Sequence, residues 1–170
     1  FGVRRVAHGA TAIEDPGLLA VLRERDVTLD LCPTSNVQAS LVATLADNPV
    51  AALHRAGVSV TLSTDDRTVT GTTLSDELAS TATAVGLSAD ELADISLNAF
   101  RRSFASRAAM QPLLGAAAQA WSAWRAQVLA YFDTSGVSNG GTEAINLIIE
   151  KVRRLAHGFK NFDHYRLRIM

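Results

Sequence analysis

Apolar positions in the first hundred residues follow two alternating periods. Val3 to Ala7, Val27 to Leu31 and Val58 to Leu62 are short apolar runs, the last rich in β-branched residues, and each predicts a strand. Between them apolar residues recur at helical spacing. Leu18, Leu19, Val21 and Leu22 follow Asp15–Pro16, an N-cap and a proline at the first helical position, and run to about Arg25. Asn48–Pro49 opens a second helix that ends near Gly57. Leu74, Leu78, Ala82 and Val85 mark a third, stopped by Gly86. Ser88 and Glu91 form an S-x-x-E capping box for a fourth, which should turn Leu92, Ile95 and Ala99 inward. Strands alternating with helices at intervals of about 25–30 residues predict parallel βαβ units.

Polar residues gather just after the strands. His8 follows the first, CPTSN (32–36) the second and STDD (63–66) the third, with Pro33 ending the second strand. In α/β architectures the C-terminal strand ends are where loops and helix N-termini converge on ligands. Each residue also has a plain structural role open to it. A lone histidine can be a turn residue, paired aspartates a helix cap, and Cys32 a small buried side chain.

The last third has a different texture. Residues 111–120 are small and apolar and read as a seam or a weak helix. Trp121, Trp124, Val128 and Tyr131 recur at helical spacing, and Thr134 to Gly141 is a loop by composition. TEAINLIIEKVRRLAHG then has the pattern of an amphipathic helix ended by Gly158. Ile145, Ile148, Ile149, Val152 and Ala156 form its apolar stripe, and Glu143, Asn146, Glu150 and Arg153 its polar face.

Charge sharpens that division. Up to Met110 there are 9 Lys+Arg against 13 Asp+Glu; from Gln111 on there are 7 against 4. From Lys151 to the end there are six basic residues and one acid, Asp163. A basic tail with its own partner, or two segments of different origin, explains such asymmetry. The overall net charge of -1 and 48% apolar content are those of an ordinary globular chain, not of a disordered or fibrous one. With one cysteine, no run of about 18 apolar residues and no basic-then-apolar leader, the reading is a cytoplasmic protein with no membrane contact. The sequence begins with Phe1, inside what reads as a strand.

RVAHGATAIEDP, LDLCPTSN, GVSVTLSTDD and GLSADELADISLNAFRRSF, in that order and spacing, resemble the C-terminal part of adenosine deaminases over about residues 1–110. The resemblance implies an α/β fold, the last three strand–helix units of a partial (β/α)8 barrel. It also implies zinc and hydrolysis of adenosine, a purine nucleoside, to inosine and ammonia. Carried over by position, Asp65 is the zinc-ligating aspartate and Asp66 hydrogen-bonds the purine. His8 orients and deprotonates the zinc-bound water. The family's H-x-H pair, its further ligand histidine and its catalytic glutamate have no counterpart in these residues, so the 170 residues alone are expected to be inactive. Arg67 stands where the family usually has proline, and Asn48 where histidine is common.

GVSNGGTEAINLIIEKVRRLAHGFKNFDHYRLRI resembles the C-terminal end of DDE-type insertion-sequence transposases over about residues 119–170. There Glu143 matches the third metal-binding carboxylate, and the basic tail at 151–170 is expected to contact DNA weakly. The implied organisation is a deaminase fragment (1–110), a seam (111–118) and a mainly helical transposase fragment (119–170). The alternatives to a deaminase fragment are a transposase remnant with a DNA-binding tail, or a fusion product without function.

Overall fold

A computed structural model describes residues 2–133. Its elements follow the chain as strand β1 (Arg5–Ala7), helix α1 (Pro16–Glu24), strand β2 (Thr28–Leu31), helix α2 (Pro33–Gln38), helix α3 (Val50–Arg55), strand β3 (Ser59–Leu62), and helices α4 (Arg67–Thr70), α5 (Leu74–Val85), α6 (Ala89–Arg101) and α7 (Arg107–Asp133). A 3-10 turn over Ala10–Glu14 leads from β1 into α1. The strands form one parallel sheet in the order β1-β2-β3, with Arg5, Thr28 and Ser59 in register. The fold is α/β, as the alternating periods predict.

The two faces of the sheet differ. Leu29 and Leu31 of β2 and Val60 of β3 are buried with Leu53, Leu92 and Ile95 from the helices. The opposite face carries polar side chains bonded across the strands. Thr28 shares a 2.9 Å hydrogen bond with Ser59, Thr61 donates to Asp30 at 2.6 Å, and Arg5 Nε donates to Asp30 at 3.0 Å. A parallel sheet covered by helices on both sides carries apolar residues on both faces. Here only one face is built that way.

Local signals set most helix ends. Asp15 accepts from the backbone of Gly17 and Leu18, with Pro16 opening α1. Gly86 ends α5 in the left-handed conformation, φ 65°. At the head of α6, Ser88 N donates to Glu91 and Glu91 N donates to Ser88 Oγ. Arg55 of α3 closes on the same glutamate with two hydrogen bonds, at 2.7 and 3.0 Å. The Arg55 hydrogen bonds, ahead of the capping bonds, hold the Glu91 carboxyl down at about 2.

That depressed value gives a pH signature. The stabilisation is present above the ordinary carboxylate value of 4.5 and is lost as pH falls through about 2. Arg55 is half exposed, so solvent screening limits the gain. Glu91→Gln is expected to cost about 1 kcal/mol at neutral pH. Urea titrations should show the wild-type advantage shrinking between about pH 4.5 and pH 2. An advantage that stays constant across that range would remove the ion pair from the account.

The structure departs from the sequence reading at three places. Ala99 is exposed; Asn98, one residue earlier, turns inward and donates to Val60 O at 3.3 Å. Ser63 N donates to Leu31 O, so by strand alternation Val60 presents its carbonyl to the outer edge of β3, and Asn98 satisfies it. Leu74 is 40% exposed, whereas Glu77 and Thr81 of the same helix are fully buried. Pro33 ends β2 and also starts α2, because a proline fits the first helical turn, where no N–H is needed. Of the two readings of 111–120, the helix is the one found: α7 runs unbroken across 111–118 with Pro112 inside it, and Trp121 packs on the core. The loop at 134–141, the helix after it, Glu143 and the basic tail lie outside the described residues.

Candidate active site

The polar groups after the strands share one end of the sheet. His8 N continues the strand pairing by donating to Asp30 O at 2.8 Å, and the chain then turns at His8 with φ 58°. Gly9 follows with φ 75°, and a Cβ there would sit 2.9 Å from the Leu29 side chain. Only glycine lets the chain leave β1 this close over β2. Asp65, after β3, also has φ 58°. Among the described residues, two of the four non-glycine residues with positive φ are therefore the histidine and the aspartate singled out from sequence. Backbone held in this region without glycine costs energy and concentrates at functional sites.

The side chains converge as well. His8 Nε2 lies 3.6 Å from Asp65 Oδ2. Cys32 joins them, and one ligand atom from each of the three lies within 4.8 Å of the others. Ser35 Oγ donates to Asp65 Oδ2 at 2.7 Å. Cys32 is 5% exposed, and burial, followed by the charge of Asp65, pushes its thiol up to about 11. It is thus a protonated thiol at neutral pH and a weak nucleophile. The oxygen and sulfur donors so close together fit a zinc ion, with the carboxylate free to bind directly and the thiol only on losing its proton, and the His8 ring stands beside them.

Behind His8 lies a buried amide pair. Asn36 Nδ2 is 3.2 Å from His8 Nδ1, and Asn48 Nδ2 donates to Asn36 Oδ1 at 3.2 Å. Asn48 Oδ1 accepts from Val50 N, in the first turn of α3. The helix carrying Asn36 is anchored in turn by Glu77, which accepts from both Thr34 N and Thr34 Oγ1. Ser35, Asn36 and Glu77 were not singled out from sequence, and Asn48 only as a departure. Asn36 lies within the CPTSN string, but nothing local marks Glu77.

Asp66 takes a different position. Its carboxylate caps the four-residue α4, accepting from Thr68 N at 2.8 Å, and is exposed. The backbone hydrogen bond from Thr68 holds it below the usual carboxylate range. Glu143, the fourth candidate, lies outside the described residues.

Comparison with known proteins bears on both ends of the chain. The sequence model for adenosine deaminase matches residues 1–119. The chain belongs to the adenosine deaminase family. It also belongs, through residues 83–169, to a family described as transposase. The two matches overlap over 83–119, a stretch that includes all of α6 and the start of α7. Among curated relatives, the aminodeoxyfutalosine deaminase of Streptomyces coelicolor is 43% identical over 100 residues, 59% of this chain and 26% of that protein. The adenosine deaminase of Enterococcus faecalis is 42% identical over 106 residues, 62% of this chain and 32% of its own length. Among solved structures, adenine deaminase from Arthrobacter aurescens aligns with a TM-score of 0.64 at 33% identity, over 66% of this chain and 35% of that one. The chain thus spans about a third or less of these relatives. Among the described residues, no helix is long and apolar enough to cross a membrane.

Proposed function

We propose that the first 110 residues are the last three strand–helix units of a zinc-dependent purine deaminase barrel, acting on adenosine. The convergence of His8 and Asp65 at one sheet end, both with left-handed backbone, carries the reading. The one-sided polarity of the sheet supports it, since the inner face of a closed barrel is a packed interior of its own. In this reading Asp65 holds zinc, and Cys32 stands close enough to join it. When bound, zinc supplies Lewis acidity that makes water nucleophilic near neutral pH. His8 orients the attacking oxygen and handles its proton, and Asp66 accepts a hydrogen bond from the purine ring. Ser35 fixes the Asp65 carboxylate from behind. Water enters, ammonia leaves, and adenosine becomes inosine. These residues supply one of the family's metal ligands, so turnover needs the rest of a barrel, and the natural setting is cytoplasmic.

The test completes the barrel. Residues 1–110 replace the matching segment of the Enterococcus faecalis adenosine deaminase, and loss of adenosine absorbance is followed. Deamination with bound zinc is the expected result. A folded, zinc-loaded chimera that leaves adenosine untouched would overturn the substrate assignment.

The match over 83–169 favours a second reading for the other end of the chain. We propose that it is a transposase remnant, with Glu143 the remaining metal-binding carboxylate and the tail at 151–170 contacting the DNA backbone. Its duplex affinity should fall steeply with salt, because Lys and Arg release counterions from phosphates. Deleting residues 141–170 should abolish that binding. Binding that ignores salt, or survives the deletion, would refute the proposal.

A further inference from the structure

The hydrogen bonds behind His8 run in one direction only. Val50 N is a backbone amide and can only donate, so the Asn48 atom facing it is the carbonyl oxygen. That leaves Asn48 Nδ2 facing Asn36, whose carbonyl oxygen must accept it. Asn36 therefore presents Nδ2 to the histidine, and His8 Nδ1 has to accept. Asn36 is fully buried and Asn48 4% exposed, so neither amide can turn over and complete its bonds with water. A neutral imidazole that accepts at Nδ1 carries its proton at Nε2, the atom 3.6 Å from Asp65.

We infer that Asn48 and Asn36 are positioning residues that lock His8 in the Nε2–H tautomer. With its proton at Nε2, His8 offers the site a hydrogen-bond donor and not a lone pair. It donates to Asp65 or to an oxygen beside it, and the metal falls to Asp65 and Cys32. The consequence for catalysis rests on the deaminase reading: His8 steers the attacking oxygen, and accepts a proton at Nε2 only after its own has left. The tautomer itself is independent of that reading, so the two fail separately.

The experiment uses the full chain, 15N-labelled, without metal or substrate, at about pH 8, where a histidine is ordinarily neutral. Two-bond 1H–15N correlations report which ring nitrogen of His8 is protonated, and His8→Gln identifies the signals. An unprotonated Nδ1 in about tenfold excess or more is expected, the bias from one buried hydrogen bond. A protonated Nδ1 in the wild-type protein would overturn the inference outright. Asn48→Asp replaces the donor by an acceptor, so Asn36 must turn its amide round, and the tautomer should invert. Asn48→Ala removes the anchor and should let the ratio fall to the modest Nε2–H excess of an unconstrained histidine. A folded variant of either kind that keeps the wild-type ratio would show that the amides do not set it.

Discussion

Replacing Asp65 with alanine in the completed barrel is expected to lower adenosine turnover on the order of 10³-fold, with zinc content falling in parallel. The magnitude follows from the several kcal/mol that Lewis-acid chemistry contributes, at about 1.4 kcal/mol per decade of rate. The backbone term acts on stability. Asp65 sits at φ 58°, so alanine there keeps the unfavourable conformation and loses the polar side chain that tolerates it. Melting temperature should therefore be measured beside rate and metal. Loss of rate and zinc with melting unchanged assigns the carboxylate to the metal. Loss of all three adds the backbone cost to the loss of metal, and Asp65→Asn then decides, since asparagine tolerates φ 58°: melting regained without zinc still assigns the carboxylate to the metal, and zinc regained with it would make Asp65 a structural residue. Asp65→Asn keeps the acceptor for Ser35 and isolates the charge.

Glu77→Ala should destabilise the fold by about 2–5 kcal/mol, a large part of a typical domain's stability. Glu77 lies on α5 with no exposed surface and accepts from both the backbone N–H and the hydroxyl of Thr34. Alanine leaves two buried donors without acceptors, each costing about 1–3 kcal/mol, and opens a cavity besides. Glu77→Gln is the informative partner. Its carbonyl can still take the Thr34 N–H, and its amide can donate to the hydroxyl, which rotates to accept. The glutamine variant should lose no more than about 1 kcal/mol. Urea unfolding should show the alanine midpoint falling well below the glutamine one with a similar slope. Equal losses in the two variants would mean that volume, and not hydrogen bonding, is what Glu77 provides.

Elements whose signals lie a few residues apart were legible in the sequence. Asp15–Pro16, Ser88 with Glu91, and Gly86 each act within one turn, and each ends or starts a helix where expected. Ala99 was misread because the step of four from Ile95 lands on an apolar residue, whereas the step of three lands on a polar one. The buried stripe runs Leu92, Ile95, Asn98, and its last member is polar because a strand-edge carbonyl needs a donor. Glu77 was invisible for a related reason. A glutamate amid Leu74, Leu78 and Ala82 looks solvated until Thr34, 43 residues away, is placed against it. In the site, His8 and Asp65 stand out because chemically capable residues after strands are a local pattern. The amides that orient His8 are not, since their meaning lies in contacts 12 and 28 residues apart.

Arg102, at the end of α6, has a bearing on how this protein is made. Its carbonyl accepts from Arg5 in the first strand, across 97 residues, and its guanidinium pairs with Asp26, across 76. The strands, by contrast, pair across 23 and 31 residues. During translation the sheet can therefore assemble early, but the fastening of α6 beneath it waits until the ribosome has released Arg102. That same stretch lies where the deaminase and transposase matches overlap. A nascent chain interrupted before this point would present an unfastened sheet to chaperones and proteases, while one that passes it has closed its first part before the basic tail emerges.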